Sequence, residues 1–161
     1  MNTRNLNWPV ALVVVCLVGT ACCDGRKPDA DLQPIFGKGP VAPSDNFTGS
    51  ASVNRFVTDS DSLDCLISNV TFEPAARTKW HTHPGGQVLM VTEGEGYYQE
   101  KGQPRRLIHK GDIIKCPARV VHWHGASPQS ALTHIAIATN IEKGVVDWLQ
   151  PVTDEEYNGA R

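Results

Sequence analysis

The chain has 161 residues, with 15 Lys and Arg against 17 Asp and Glu and a formal net charge of −2. That length suits one ordinary domain and excludes two large ones, and a near-neutral balance without a basic block excludes a nucleic-acid surface. Forty per cent hydrophobic residues indicate a folded globular protein, and 14 glycines with 11 prolines spread along the chain favour short elements joined by turns.

The first element is a targeting segment. MNTRNLNWPVALVVVCLVGTACC carries one arginine, no acid, an apolar run from Val10 to Val18, and then small residues Gly19, Thr20 and Ala21. This three-part layout predicts a secretory signal over residues 1–21, its run being short for a bilayer span. The ending LVGTAC resembles a bacterial lipoprotein signal, although Gly19 stands where leucine is usual. That resemblance implies lipidation at Cys22, hence a periplasmic or membrane-anchored protein. Residues 22–44, rich in proline, glycine and charge without periodicity, are expected to be a flexible linker or tether. With the signal removed and Cys22 lipidated, Cys23, Cys65 and Cys116 remain. An oxidising compartment permits one disulfide among them, but the sequence does not choose the pair. Cys65 and Cys116 lie in apolar strand-like runs and read as small buried residues.

From residue 45 to 161 the pattern is that of one domain. FTGSASVNRFV and CLISNVTF alternate and are rich in β-branched and aromatic residues. RTKWHTH, QVLMVTEG, GYYQEKG, RRLIHKGD, DIIKCPA, VVHWHGA and ALTHIAIAT follow as strand candidates, with PGG, EGEG, EKGQP and HKGD expected as turns between them. Only the end differs: in TDEE, Thr153 precedes Glu156 by three, a capping-box signature for a short helix. The expected class is all-β, a sandwich or barrel with a short C-terminal helix.

Side chains two apart on a strand share a face. His81 and His83 therefore point together, as do His122 and His124, with Trp123 opposite. His134 shares a face with Ala136 and Ala138, leaving Ile135 and Ile137 for an opposing layer. A lone strand histidine is usually a hydrogen-bonded structural residue, but two H-x-H pairs among only six histidines point to a metal site. His109, in the turn-like IHKGD, reads as a surface residue, and Trp80 and Trp123 read as packing.

HTHPGGQ…GEG followed by GDIIKCPARVVHWH resembles the two motifs of the cupin superfamily. The resemblance implies a small double-stranded β-helix, or jelly-roll barrel, with a metal inside. VTFEPAARTKWHTHPGGQ, HWHGASP, ALTHIAI and VDWLQPVTDEEY are further similar to small bacterial cupins. That group includes manganese-dependent hydroxynitrile lyases and cupins associated with carboxymuconolactone decarboxylase-like domains. Carried over residue by residue, the metal ligands are His81, His83, Gln87 and His122. Thr78, His124 and His134 match active-site polar residues, and Ser68 and Val70 match positions facing the substrate pocket. Cupin barrels of this size commonly dimerise, which implies a homodimer or higher homo-oligomer.

Gln87 is the informative ligand. Three neutral imidazoles and an amide oxygen leave a divalent ion its full charge, which favours Lewis-acid over oxygen chemistry. The resemblance favours manganese; iron, nickel and zinc also suit mixed nitrogen and oxygen ligands. The expected reaction is lyase-type, a cyanohydrin or related carbon–carbon cleavage or addition, with His124 or His134 as base and Thr78 orienting the substrate. An exported protein has no evident use for cyanohydrins, so another small oxygenated molecule is the expected natural substrate. Two other classes stay open: a dioxygenase-like oxidative cupin and an exported, non-catalytic barrel that binds a small ligand.

Overall fold

A computed structural model describes residues 34–159. The expected signal segment, the expected lipidation site Cys22 and the first part of the expected linker lie outside the described residues. The described residues form eleven strands: β1 Phe47–Thr48, β2 Ala51–Val57, β3 Cys65–Phe72, β4 Arg77–Thr78, β5 His81–Thr82, β6 Gln87–Glu100, β7 Arg106–His109, β8 Ile113–Cys116, β9 His122–Ala126, β10 Leu132–Thr139 and β11 Asp147–Trp148. They pair antiparallel in the order β1-β4-β9-β6-β10-β3-β2, with β7 and β8 also on β6 and with β5 joining β9 to β11. The result is the expected all-β jelly-roll barrel, followed by the short C-terminal helix α1, Asp154–Asn158. The capping box is present, Thr153 Oγ1 accepting from the Glu156 N–H and the Glu156 carboxylate accepting from the Thr153 N–H.

Three segments depart from the expected pattern. EGEG is not a turn, and β6 runs through it for 14 residues. The first half of β6 pairs with β8 and β10, the second with β7 and β9, so one strand belongs to both sheets. The glycines permit the crossing by close approach: a Cβ on Gly94 would lie 1.9 Å from the Ala131 carbonyl oxygen, and one on Gly96 would lie 2.1 Å from that of Gly125. RTKWHTH is split into β4 and β5, because Lys79 and Trp80 turn their N–H groups to Asn46 and Gln150 while the strand changes partners. Finally, the chain joins the barrel before residue 45. Val53 N–H donates to the Pro40 carbonyl at 3.0 Å and Ala42 N–H to that of Ala51 at 2.8 Å, so Pro40–Ala42 lies along the edge of β2. Prolines are tolerated there because an edge leaves their missing N–H unneeded.

The core has two parts. Between the sheets, Phe72, Leu89, Ile108, Ile114, Cys116 and Leu132 pack with their neighbours. Outside β9, Trp80, Trp123, Val152 and Tyr157 form a second cluster under α1, which confirms the packing reading of both tryptophans. Arg77, itself buried, ties this cap down through the Val152 carbonyl and Asp154, with its guanidinium over the Tyr157 ring. Among the described residues Ile135 and Ile137 meet no opposing layer. They lie half-buried on the outer face of their sheet beside Met90 and Ile113, which are exposed. Cys65 and Cys116 are both free, and Cys116 is buried.

Candidate metal centre

Three short elements bring the imidazoles together. β5 carries His81 and leads into His83, and the Pro84–Gly86 turn returns the chain into β6 at Gln87. β9 then places His122 directly across from His81. One ring nitrogen from each of His81, His83 and His122 lies within 4.8 Å of the other two. All three side chains are buried.

Backbone carbonyls set the tautomers. His81 Nδ1 lies 2.9 Å from the Lys79 carbonyl oxygen, His83 Nδ1 2.6 Å from that of Val145, and His122 Nδ1 2.9 Å from that of Val120. A carbonyl can only accept, so each Nδ1 carries the hydrogen and each Nε2 is left as a bare lone pair. His122 Nε2 then faces the amide oxygen of Gln87 at 3.3 Å, two acceptors with no proton between them. His83 Nε2 is buried without any partner among the described residues. A cation shared by the three Nε2 atoms and Gln87 Oε1 would satisfy every one of these groups, so the residues fit a divalent metal. Burial, the largest cause in each case, holds all three histidines below their ordinary pKa, His122 at about 4. They are therefore neutral ligands at neutral pH.

A cavity of about 390 Å³ opens onto His81, His83 and Gln87, whereas His122 does not itself line it. Ser68 and Val70 are on its wall, together with Thr78 and His124. His134 is not on the wall. It is fully buried beside His124, with its Nε2 3.2 Å from His124 Nδ1. Burial holds His124 well below its usual pKa and His134 at about 4. The Thr78 hydroxyl is engaged with the His124 backbone, accepting from its N–H and donating to its carbonyl, each at 3.2 Å. His109 is exposed and distant from the cluster in the fold, on β7, as a surface residue should be.

Several wall residues had no signal as site residues in the sequence. Phe47, Arg55, Val145 and Trp148 line the cavity, as do Pro40–Pro43 from the stretch read as linker. Alternation in FTGSASVNRFV does put Val53 and Arg55 on one face, but it does not say that this face is the inside. Trp148 reaches the site only because β11 pairs with β5, which sets its ring 5.0 Å from that of His81.

A jelly-roll barrel with three histidines and a glutamine converging beneath an interior cavity defines a class of metal-binding β-barrel. Comparison with known proteins agrees with that geometry. The Cupin domain family model matches residues 68–137. (R)-mandelonitrile lyase from Granulicella tundricola is 45% identical over 121 residues, 75% of this chain and 90% of that protein. The crystal structure of a cupin-like protein from Thermotoga maritima superposes with a TM-score of 0.76 at 50% identity, covering 78% of this chain and 96% of the other. A predicted oxalate decarboxylase from the same organism shares the fold alone, at 15% identity and a TM-score of 0.55 over 68% of this chain and 91% of that one. The chain belongs to the cupin superfamily.

Proposed function

We propose that the protein is a metal-dependent enzyme of lyase type, cleaving or forming a carbon–carbon bond beside an oxygen of a small organic molecule. The observation that carries this reading is the set of four convergent lone pairs, from His81, His83, His122 and Gln87, beside the cavity. The 45% identity to a mandelonitrile lyase supports the reaction class. A divalent ion held there, manganese in this reading, would keep its whole charge against four neutral ligands and supply Lewis-acid chemistry.

The chain's own groups supply the rest. His124 takes the proton of a substrate hydroxyl at Nε2 as general base. For that, its Nδ1 must hold a hydrogen and donate it to His134 Nε2, so His134 is a positioning residue acting through His124. Thr78, committed to the His124 backbone, positions the same residue. Ser68, Val70 and Phe72 form the wall against which the carbon skeleton lies. Export through the N-terminal segment, and pairing of two copies across the half-exposed outer face carrying Met90 and Ile113, belong to this reading.

Metal content measured by mass spectrometry on the purified wild type, His81→Ala and Gln87→Glu tests it. About one manganese per chain, lost in His81→Ala, retained in Gln87→Glu and accompanied there by slower cyanohydrin cleavage, is the expected result. Stoichiometric iron with oxygen consumption would replace the lyase by an oxidative enzyme. No metal after reconstitution would leave a small-ligand-binding barrel.

A further inference from the structure

The cavity wall carries one cation. Along β2 and β3 the inward positions are Val53, Leu66, Val70 and Phe72, all apolar, and then Arg55 and Ser68. Arg55 and Ser68 are directly opposed across the β2–β3 pair, close enough for one ligand group to bridge them. A register shift follows at once between Arg55 and Val57, the kind of irregularity that re-aims a side chain at a rim. Among the described residues Arg55 makes no ion pair, and no Asp or Glu lines the cavity. The metal ligands are themselves neutral. No acidic residue on the wall offsets the charge of Arg55, and an unpaired guanidinium beside a hydroxyl has the geometry to take a carboxylate in bidentate fashion.

We propose that Arg55, with Ser68, is the specificity-determining pair that selects substrates bearing a carboxylate at the end away from the imidazole cluster. The two ends are well separated. From β6, where Gln87 stands, the sheet runs through β10 and β3 to β2, three strand spacings or about 14 Å along a curved surface. Phe47, Phe72 and Trp148 also line the cavity, Trp148 and Phe72 beside the imidazoles and Phe47 against both, and their rings suit a flat apolar body. The substrate class is then a small aromatic or similarly planar acid, with an oxygen at the metal centre and a carboxylate at the mouth. This inference rests on the metal-centre reading above and names its substrate class.

Calorimetric titration of the manganese-loaded protein with 4-formylbenzoate and with its neutral counterpart 4-formylbenzamide tests it. Arg55 is exposed, so the charge-assisted contact is partly screened and the expected preference for the acid is about tenfold rather than larger. Arg55→Gln should bind both compounds equally, the acid losing more affinity than the amide, and Arg55→Lys should keep part of the preference because it retains charge without the fork. Equal binding of the two compounds by the wild type would overturn the inference, as would a preference that survives in Arg55→Gln, since the carboxylate would then be held elsewhere. Absence of binding of either compound to the wild type would overturn it too. His81→Ala separates the two readings: a preference for the acid that persists there, with affinities that ignore the metal, upholds Arg55 and removes the metal from substrate binding.

Discussion

Strand β9 divides two clusters of aromatic rings that differ in kind. Outside it, Trp123 packs with Trp80, Val152 and Tyr157, and every polar ring atom has a partner: Trp123 Nε1 donates to Gln99 at 2.9 Å, Trp80 Nε1 to Glu156 at 3.0 Å, and the Tyr157 hydroxyl to the Ala126 carbonyl at 2.8 Å. Inside it, His122 and His124 join His81, His83 and His134. There burial works against the charged form of each ring, and His83 Nε2 and His134 Nδ1 have no partner among the described residues. Folding completes the outer cluster. The inner one carries a desolvation cost that its own side chains do not offset and that, at His81, His83 and His122, a bound cation would, which marks it as the functional half.

That contrast can be broken most directly by truncating one ring on each side. Trp123→Ala should cost about 3–5 kcal/mol in urea denaturation, because a buried indole leaves a cavity. Metal bound per folded chain should not change. His81→Ala should show the reverse, with metal affinity lowered by more than about a hundredfold and the metal-free protein losing far less stability than Trp123→Ala. Comparable destabilisation of the metal-free protein by the two substitutions would abolish the distinction.

Acid sharpens it further. Unfolded histidine titrates near its ordinary value of about 6.5, whereas folded His122 and His134 do so at about 4. Between those values the unfolded chain binds more protons, so stability of the metal-free protein should be intact above about pH 6.5 and fall progressively as pH drops towards 4. Denaturation midpoints that stay flat across that window would show that the imidazoles are not desolvated as described. The smallest effect belongs to the outer cluster's lid. Thr153→Ala removes the acceptor for the Glu156 N–H and should cost about 1 kcal/mol, read as faster amide exchange in α1 with metal content untouched.

Much of this was legible in the chain. The period-2 pattern identified the strands, the H-x-H pairs placed two histidines on each of two faces, and Thr153 with Glu156 marked the C-terminal helix. EGEG misled because glycine serves a close backbone approach as readily as a turn, and only the positions of the Ala131 and Gly125 carbonyls distinguish the two uses. His134 and His124 looked equivalent as bases, since alternation assigns a face but not a depth. Their difference appears only when β10 is seen to carry His134 behind His124, away from the cavity. Arg55 was invisible for a related reason, because alternation in β2 does not say which face is inside.

Local spacing therefore determined the element types and the pairs of residues that must act together, because the pleat and the helical turn are properties of neighbours in sequence. Tertiary structure decided the rest: which carbonyl orients His83, which lone pairs converge, and which arginine faces the cavity. The Lys79 and Val120 carbonyls are only two residues from the rings they orient, but the convergence of those rings depends on β9 lying against β5, on Val145 reaching His83 from 62 residues away, and on β6 crossing from one sheet to the other. No local period encodes such meetings, since they arise from the closure of the barrel.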